Sequence, residues 1–310
     1  MPHITLQGEK SHDALRMAHE AMHTTFEIFF LHEDQQYAKQ AVYEIFQELD
    51  KLEQAFSRFI SNSDISRINA LRQNETIRIG LDTFECLKQS KRLLSMTKGA
   101  FNINVGAWIN YWRDRQDDIS SDSNTQNRTK QSMEWDFLKL DEKNVTVTAL
   151  SKSRSLDLGG IGKGYAIDHI ARLLREWDIE SALIHGGTST ALALDAPPAE
   201  KGWPITISHP NNPSKIMKKI DLENRALSGS GLQKGQHIID PRTGKPVTGR
   251  LAAWAFTPDA TSSDALSTAF MIMSTEEIRT FCMNYPDTQA VVVLKDEDEN
   301  NRILEFGDWE

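Results

Sequence analysis

The sequence predicts an α+β fold, mixed α/β layers in which helices pack on a mixed β-sheet. Two observations predict it. Stretches with apolar residues at helical spacing and stretches rich in β-branched and aromatic residues both recur, but in no regular alternation. The 310 residues are 39% hydrophobic and 25% charged, as in an ordinary globular chain, and are long enough to bury a large core.

The elements follow in order. Residues 22–31, MHTTFEIFFL, read as a strand. In residues 41–56, Ile45, Leu49, Leu52 and Phe56 fall on one helical face. Ser63 is placed to cap a short helix carrying Ile65, Ile68 and Leu71. Residues 82–99 predict a helix from a capping Asp82 to a terminating Gly99. The aromatics of 56–69 and of GAFNINVGAW (99–108) are expected in the core. Residues 113–134 are almost wholly polar and predict a surface insertion within one domain spanning 1–310. NVTVTAL and RSLDL read as strands. A helix over 164–177 places Ile167, Ile170, Ala171 and Leu174 on one face. SALIH and TALAL predict strands around Gly186 and Gly187, and AVVVLKDEDENNRILEF predicts a hairpin with a charged turn. No internal repeat is visible.

Charge and composition exclude several classes. A formal net charge of −9 argues against a broad nucleic-acid footprint. No run of 18 apolar residues occurs, so no membrane span is expected. The first residues carry neither an apolar signal core nor a lipid-accepting cysteine, so no export signal is read. Cys86 and Cys282 fit buried thiols of a reducing compartment, and no zinc-ligand spacing is present.

Three segments carry candidate chemistry. LDLGGIGKGYAID (156–168) clusters four glycines around Lys163 before a helix. Such a cluster suits a phosphate at a helix start, or only a tightly packed strand-to-helix turn. It matches neither the Walker nor the GxGxxG fingerprint. In TSSDALSTAFMIM (261–273) a helix is expected to begin near Asp264, with Thr268 one turn later on the same face. A carboxylate and a hydroxyl so placed are hard oxygen donors of the kind Mg²⁺ takes. The same pair also fits an acid favouring the helix dipole and a Thr bonding back to a carbonyl. In GQHIIDPRTGKPV (235–247), Asp240-Pro241-Arg242-Thr243-Gly244 is a strong turn signal, and the strand before it presents His237 as a candidate proton acceptor. The small-residue segment ALSGSGLQ before it suits close approach.

Taken in order, MHTTFEI, SRFISNSDISRIN, GAFNINVG, LDLGGIGKGYAID, ALIHGGTS, GSGLQKGQHIIDPRTGKP and SDALSTAFMIM resemble the ApbE-type FAD:protein FMN transferases. The resemblance spans residues 22 to about 273. It implies an enzyme that binds FAD and Mg²⁺, moves the FMN moiety onto a Thr or Ser hydroxyl of a target protein and releases AMP. By matching position to position, it implies Asp264, Thr268 and the Gly160 carbonyl as metal ligands. It implies Asp157 and Lys163 as FAD contacts, Met22 and Phe59 beside the flavin ring, Ala100, Phe101 and Asn102 along the nucleotide, and Ile239 against the cofactor. His237 becomes the candidate base, with Lys163 the second catalytic candidate. Phe59 stands where the family usually has Tyr, Asn102 where it usually has Asp, and Thr188 where Asp or Asn often follows the glycine pair. With no signal or anchor read, a cytoplasmic variant is expected. An FAD pyrophosphatase, giving FMN and AMP, and a non-catalytic FAD-binding protein remain the alternatives.

Overall fold

A computed structural model of the chain describes residues 4–6, 14–114, 135–152, 154–233, 237–295 and 301–309. In chain order its elements are β1 (Ile4–Leu6), β2 (Leu15–Ala21), β3 (Thr24–Leu31), α1 (Gln35–Phe56), α2 (Asp64–Ala70), β4 (Thr76–Arg78), α3 (Leu81–Met96), α4 (Gly106–Arg113), β5 (Leu138–Asp141), β6 (Thr146–Ala149) and α5 (Gly162–Glu176). There follow β7 (Ser181–Gly186), β8 (Thr190–Ala193), β9 (Trp203–His209), β10 (Asn212–Leu222), β11 (Arg225–Gly231), β12 (Ile239–Asp240), β13 (Lys245–Pro246), β14 (Arg250–Thr257), α6 (Ala260–Ile272), α7 (Thr275–Asn284), β15 (Gln289–Leu294) and β16 (Arg302–Phe306).

An eight-stranded sheet, in the order β16-β15-β14-β11-β8-β7-β3-β2, organises the rest, and its neighbouring pairs are antiparallel. Helices cover one face. There Ile28 of β3, Ile45 and Leu49 of α1, Ile167 and Ile170 of α5 and Phe270 of α6 join one core. The opposite face is covered by the three-stranded sheet β1-β9-β10, through Trp203, Ile205 and Ile207 against Leu183, Leu227 and Trp254. The expected α+β arrangement of helices on sheet is therefore present, with antiparallel pairing throughout the eight-stranded sheet where a mixed sheet was expected. Each large apolar side chain so buried stabilises the fold by about 1.5–3 kcal/mol.

Most expected elements are where the sequence puts them, including the Ser63 cap, which accepts the Ser66 N–H at 2.9 Å, and the β15–β16 hairpin. Its charged turn, 296–300, and the polar insertion beyond residue 114 lie outside the described residues. Four expectations are corrected. RSLDL is not a strand; it runs as irregular backbone into the candidate site. The third helix begins at Leu81 with Gly80 as its N-cap, and Asp82 sits in its first turn, accepting the Tyr165 hydroxyl instead of capping. Phe59 is not core but 70% exposed, because the chain leaves α1 at Ser57 and turns outward. The sixth helix begins at Ala260, four residues before Asp264, with Asp259 as N-cap accepting the Ser262 N–H at 2.7 Å.

Candidate functional site

The glycine-rich stretch enters the site as loop, not strand. A loop this deep must satisfy its backbone groups without a ladder. Asparagine side chains do so: Asn69 brackets Leu156 on both its N–H (2.7 Å) and its C=O (3.1 Å), and Asn104 accepts the Ser155 N–H at 2.8 Å. The Asp157 N–H reaches the Ile103 carbonyl at 2.8 Å. The Asp157 carboxylate then accepts the Gly159 N–H at 2.7 Å and pairs with the Arg58 guanidinium at 2.7 Å. α5 starts with no side-chain cap.

That open helix start is met by an anion of the chain itself. The buried Asp264 carboxylate accepts the Gly164 N–H at 3.1 Å and holds the Lys163 ammonium at 3.0 and 3.1 Å from its two oxygens. The Thr190 hydroxyl stands 3.4 Å from it. Negative charge is favoured at such a terminus. The dipole that Asp264 meets is therefore that of α5; in its own helix it lies in the second turn.

Gly164 has a different reason. A Cβ there would stand 2.2 Å from the Ala260 carbonyl oxygen and 2.8 Å from the Asp264 Cβ, so only glycine lets α5 and α6 meet. At Gly160 a Cβ would stand 3.3 Å from the Thr268 hydroxyl. One turn from Asp264, that hydroxyl pairs with Ser230 at 3.1 Å and reaches the Asp264 carbonyl only at 3.5 Å.

These groups line a cavity of about 340 Å³. Ala100, Phe101, Asn102, Asp157, Gly160, Lys163, His237, Ile239, Asp264 and Thr268 all reach it. The Asn102 side-chain oxygen accepts the Asn104 N–H at 2.8 Å. Ile239 is held by the β12–β13 hairpin, whose turn closes with the Thr243 and Gly244 N–H groups on the Asp240 carbonyl. His237 is exposed and precedes β12 in irregular backbone, not in the strand expected to present it.

Two nominated residues do not reach the wall. Met22 lies at the tip of the β2–β3 hairpin with φ 51°, next to His23 with φ 59°, a left-handed pair that non-glycine residues seldom form. Its N–H donates to Glu53 at 2.8 Å. Phe59 stacks on Arg58, whose guanidinium carbon lies 4.8 Å from the ring centroid. It is thereby linked to Asp157, two side chains away from the cavity.

Sequence reasoning did not nominate Ser189, Ser230, Thr190 or Arg58. The serine of Gly229-Ser230-Gly231 had a signal, a small polar residue between glycines in a segment already marked for close approach. Arg58 had none, because its partner lies 99 residues away in sequence, at Asp157.

A wider groove of about 1340 Å³ crosses α3, the outer face of α5 and the start of α6. None of the nominated residues lines it. There Tyr165 donates to Asp82 at 3.1 Å, and His169, 3.4 Å from the same carboxylate, holds Asp82 below the usual carboxylate range. The smaller cavity has the convergent donors, so it is the candidate site. Among the described residues no helix is long and apolar enough to cross a membrane.

Fold and cavity together define an α+β protein with an oxygen-rich cavity beside two touching helices and the sheet they pack on. The chain belongs to the ApbE family, whose profile matches residues 22–292. It is 24% identical over 290 residues to an FAD:protein FMN transferase of Vibrio cholerae serotype O1, covering 86% of this chain and 84% of the relative. It is 29% identical over 253 residues to an FAD:protein FMN transferase of Chlamydia muridarum, covering 77% and 78%. The fold is shared with the flavin transferase ApbE of Vibrio cholerae, with a TM-score of 0.82, 22% identity and coverage of 94% of this chain and 96% of that one. It is shared equally with the ApbE protein of Thermotoga maritima, with a TM-score of 0.82, 23% identity and coverage of 94% and 97%.

Proposed function

We propose that this protein transfers the FMN moiety of FAD to a Thr or Ser hydroxyl of an acceptor protein, releasing AMP, with Mg²⁺ bound at the Asp264 end of the cavity. One observation carries the reading. A buried carboxylate, a hydroxyl one turn on, the Gly160 backbone and a lysine converge on one cavity with an exposed histidine on its wall. The relatives' names point the same way.

The donor set fits Mg²⁺. Asp264, Thr268 and the Gly160 carbonyl are hard oxygens, and a single carboxylate with neutral partners leaves positions for phosphate oxygens and water. Among the described residues no group of three or more His, Cys, Asp or Glu is placed to hold a metal ion. The Lys163 ammonium on Asp264 indicates that the carboxylate accommodates a cation. The chemistry Mg²⁺ supplies there is charge neutralisation on the pyrophosphate as its anhydride bond breaks.

The chain's own residues do the rest. Lys163 sits at the α5 start, within reach of a pyrophosphate laid along the glycines. Ala100, Phe101, Asn102 and Ile239 shape the cavity for the nucleotide, and Asp157 holds its rim through Arg58. By resemblance Met22 and Phe59 flank the flavin outside the cavity wall. The acceptor oxygen bonds to the FMN phosphorus, the bond to the AMP oxygen breaks, and the hydroxyl proton passes to His237, imidazole being the side chain most often used as a general base.

The test is incubation of the protein with FAD, Mg²⁺ and a Thr-containing acceptor fragment, read by mass spectrometry and nucleotide chromatography. The expected result is an acceptor heavier by one FMN, with AMP released in equal amount. Asp264→Asn, which keeps size and loses charge, is expected to fold and to lower transfer by roughly 10²-fold or more. FMN and AMP with an unmodified acceptor would make the protein an FAD hydrolase instead. Normal transfer by the folded variant at limiting Mg²⁺ would remove Asp264 from the site.

A further inference from the structure

α6 carries both Asp264 and Thr268, so its position decides whether they converge. What holds it is unusual. Its own N-cap, Asp259, satisfies the Ser262 N–H. A second carboxylate, Asp168 of α5, takes two of the remaining free donors: the N–H groups of Ala260 and Thr261, each at 2.7 Å, and it also accepts the Thr261 hydroxyl at 2.5 Å. Asp168 lies one turn beyond Gly164, on the same side of α5. Gly164 meets α6 at the Ala260 carbonyl with no room for a methyl group and donates its N–H to Asp264. α5 thus grips α6 at residues 260, 261 and 264 from positions 164 and 168.

The grip is not free of cost. Burial, reinforced by the neighbouring Asp259, pushes the Asp168 carboxyl up to about 7, against the three hydrogen bonds that favour its charged form. The Asp259 side chain satisfies only the Ser262 N–H, so the N–H groups of Ala260 and Thr261 depend on a carboxylate supplied by another helix. Because that carboxylate belongs to α5, satisfying these donors also ties the two helices together.

We infer that Asp168 is a positioning residue: by clamping the first turn of α6 to α5, it fixes the axial position and rotation of that helix and so places Asp264 and Thr268 to bind a divalent cation. This rests on the metal reading of the cavity proposed above. Asp168 does not line the candidate cavity but the wide groove behind α5, and its hydrogen bonds go to Ala260 and Thr261, not to the proposed ligands. Asp168→Asn keeps the volume but turns an N–H donor toward one of the two backbone N–H groups, so the clamp is half lost and partly repulsive.

The experiment measures Mn²⁺ binding to the full chain by electron paramagnetic resonance, without FAD and well below the melting temperature of each variant. FAD binding without metal is measured in parallel by fluorescence. Asp168→Asn is expected to weaken Mn²⁺ binding at least fivefold while changing FAD affinity by less than twofold. Thr261→Val, which removes only the hydroxyl bond, is expected to weaken Mn²⁺ binding two- to threefold and serves if Asp168→Asn does not fold. A lower melting temperature with Mn²⁺ affinity unchanged within twofold would overturn the proposal, leaving Asp168 a cap for stability alone. Asp264→Asn separates the two readings, since it must abolish Mn²⁺ binding. If wild type binds no Mn²⁺, or Asp264→Asn binds it normally, the metal reading fails and this proposal with it.

Discussion

Gly164 sets two opposing effects against each other. Replacing a helical glycine by alanine ordinarily stabilises by about 1 kcal/mol, because glycine loses more backbone entropy. Here the added methyl would stand 2.2 Å from the Ala260 carbonyl oxygen, a backbone atom that cannot swing aside. Overpacking of this kind typically costs about 1–3 kcal/mol and occasionally more, so sterics win. Gly164→Ala is expected to destabilise the protein by about 1–3 kcal/mol, measured by urea unfolding; a gain in stability would show that α5 and α6 are not in the contact described. The glycine cluster was legible as a place of close approach. Which body approached was not: at Gly164 it is another helix, and no local pattern encodes a contact with a residue 96 positions later, Ala260.

At the scale of the element, the β12–β13 hairpin brings Ile239 to the cavity, and one side chain braces it. Arg242 donates to Asp240 at 3.1 Å, to Glu277 of α7 at 2.9 Å and to the Ile272 carbonyl at the end of α6 at 3.2 Å. Trp112 of α4 adds an indole N–H on the Gly244 carbonyl at 2.8 Å. Lysine cannot make three divergent bonds from one planar group. Arg242→Lys is therefore expected to weaken FAD binding by about tenfold, some 1.4 kcal/mol, with far-ultraviolet circular dichroism unchanged. An unchanged FAD dissociation constant would free the hairpin from any role in the site. The turn itself was readable from Asp-Pro-Arg-Thr-Gly, since each residue suits its local backbone angle. The brace was not, because Glu277 and Ile272 belong to distant elements. The start of α6 was misplaced for a related reason: the chain offers Asp259, Thr261, Ser262 and Ser263 as successive capping candidates, and the choice falls on Asp259 once Asp168 satisfies the next two N–H groups.

The whole molecule sets the behaviour of His185. It lies buried in β7, on the face covered by the β1-β9-β10 sheet, edge-on to Phe29 with ring centroids 6.1 Å apart. Among the described residues its Nε2 has no hydrogen-bond partner. Burial, only weakly opposed by Glu27, lowers its pKa to about 4. The folded protein thus keeps His185 neutral where the unfolded chain, titrating near 6.5, takes up a proton. The stability this group contributes is complete above pH 6.5 and is lost as pH falls toward 4, up to about 3 kcal/mol. Asp168, raised to about 7, acts in the opposite direction over much of the same range, so wild type alone does not isolate the effect. Unfolding free energies of wild type and His185→Leu, measured from pH 7 to 4, are expected to diverge, with wild type losing more. Parallel curves would show that His185 charges without penalty and is not sealed as described.

By itself, the sequence determined the helix and strand periods, the Ser63 cap, the Asp240 turn and the ordered motifs that carry the resemblance. All are local, written in residues a few positions apart. It also marked ten residues that share one cavity. Only the tertiary structure decided that Asp264 meets the start of α5 instead of its own helix, that Lys163 rests on that carboxylate, and that Met22 and Phe59 stand off the cavity wall. It alone brought Asp168 to the first turn of α6. These relations depend on how two helices seat under one sheet, and that seating is fixed by close packing between segments about a hundred residues apart. Packing of that kind depends on shape in three dimensions, which spacing along the chain does not record.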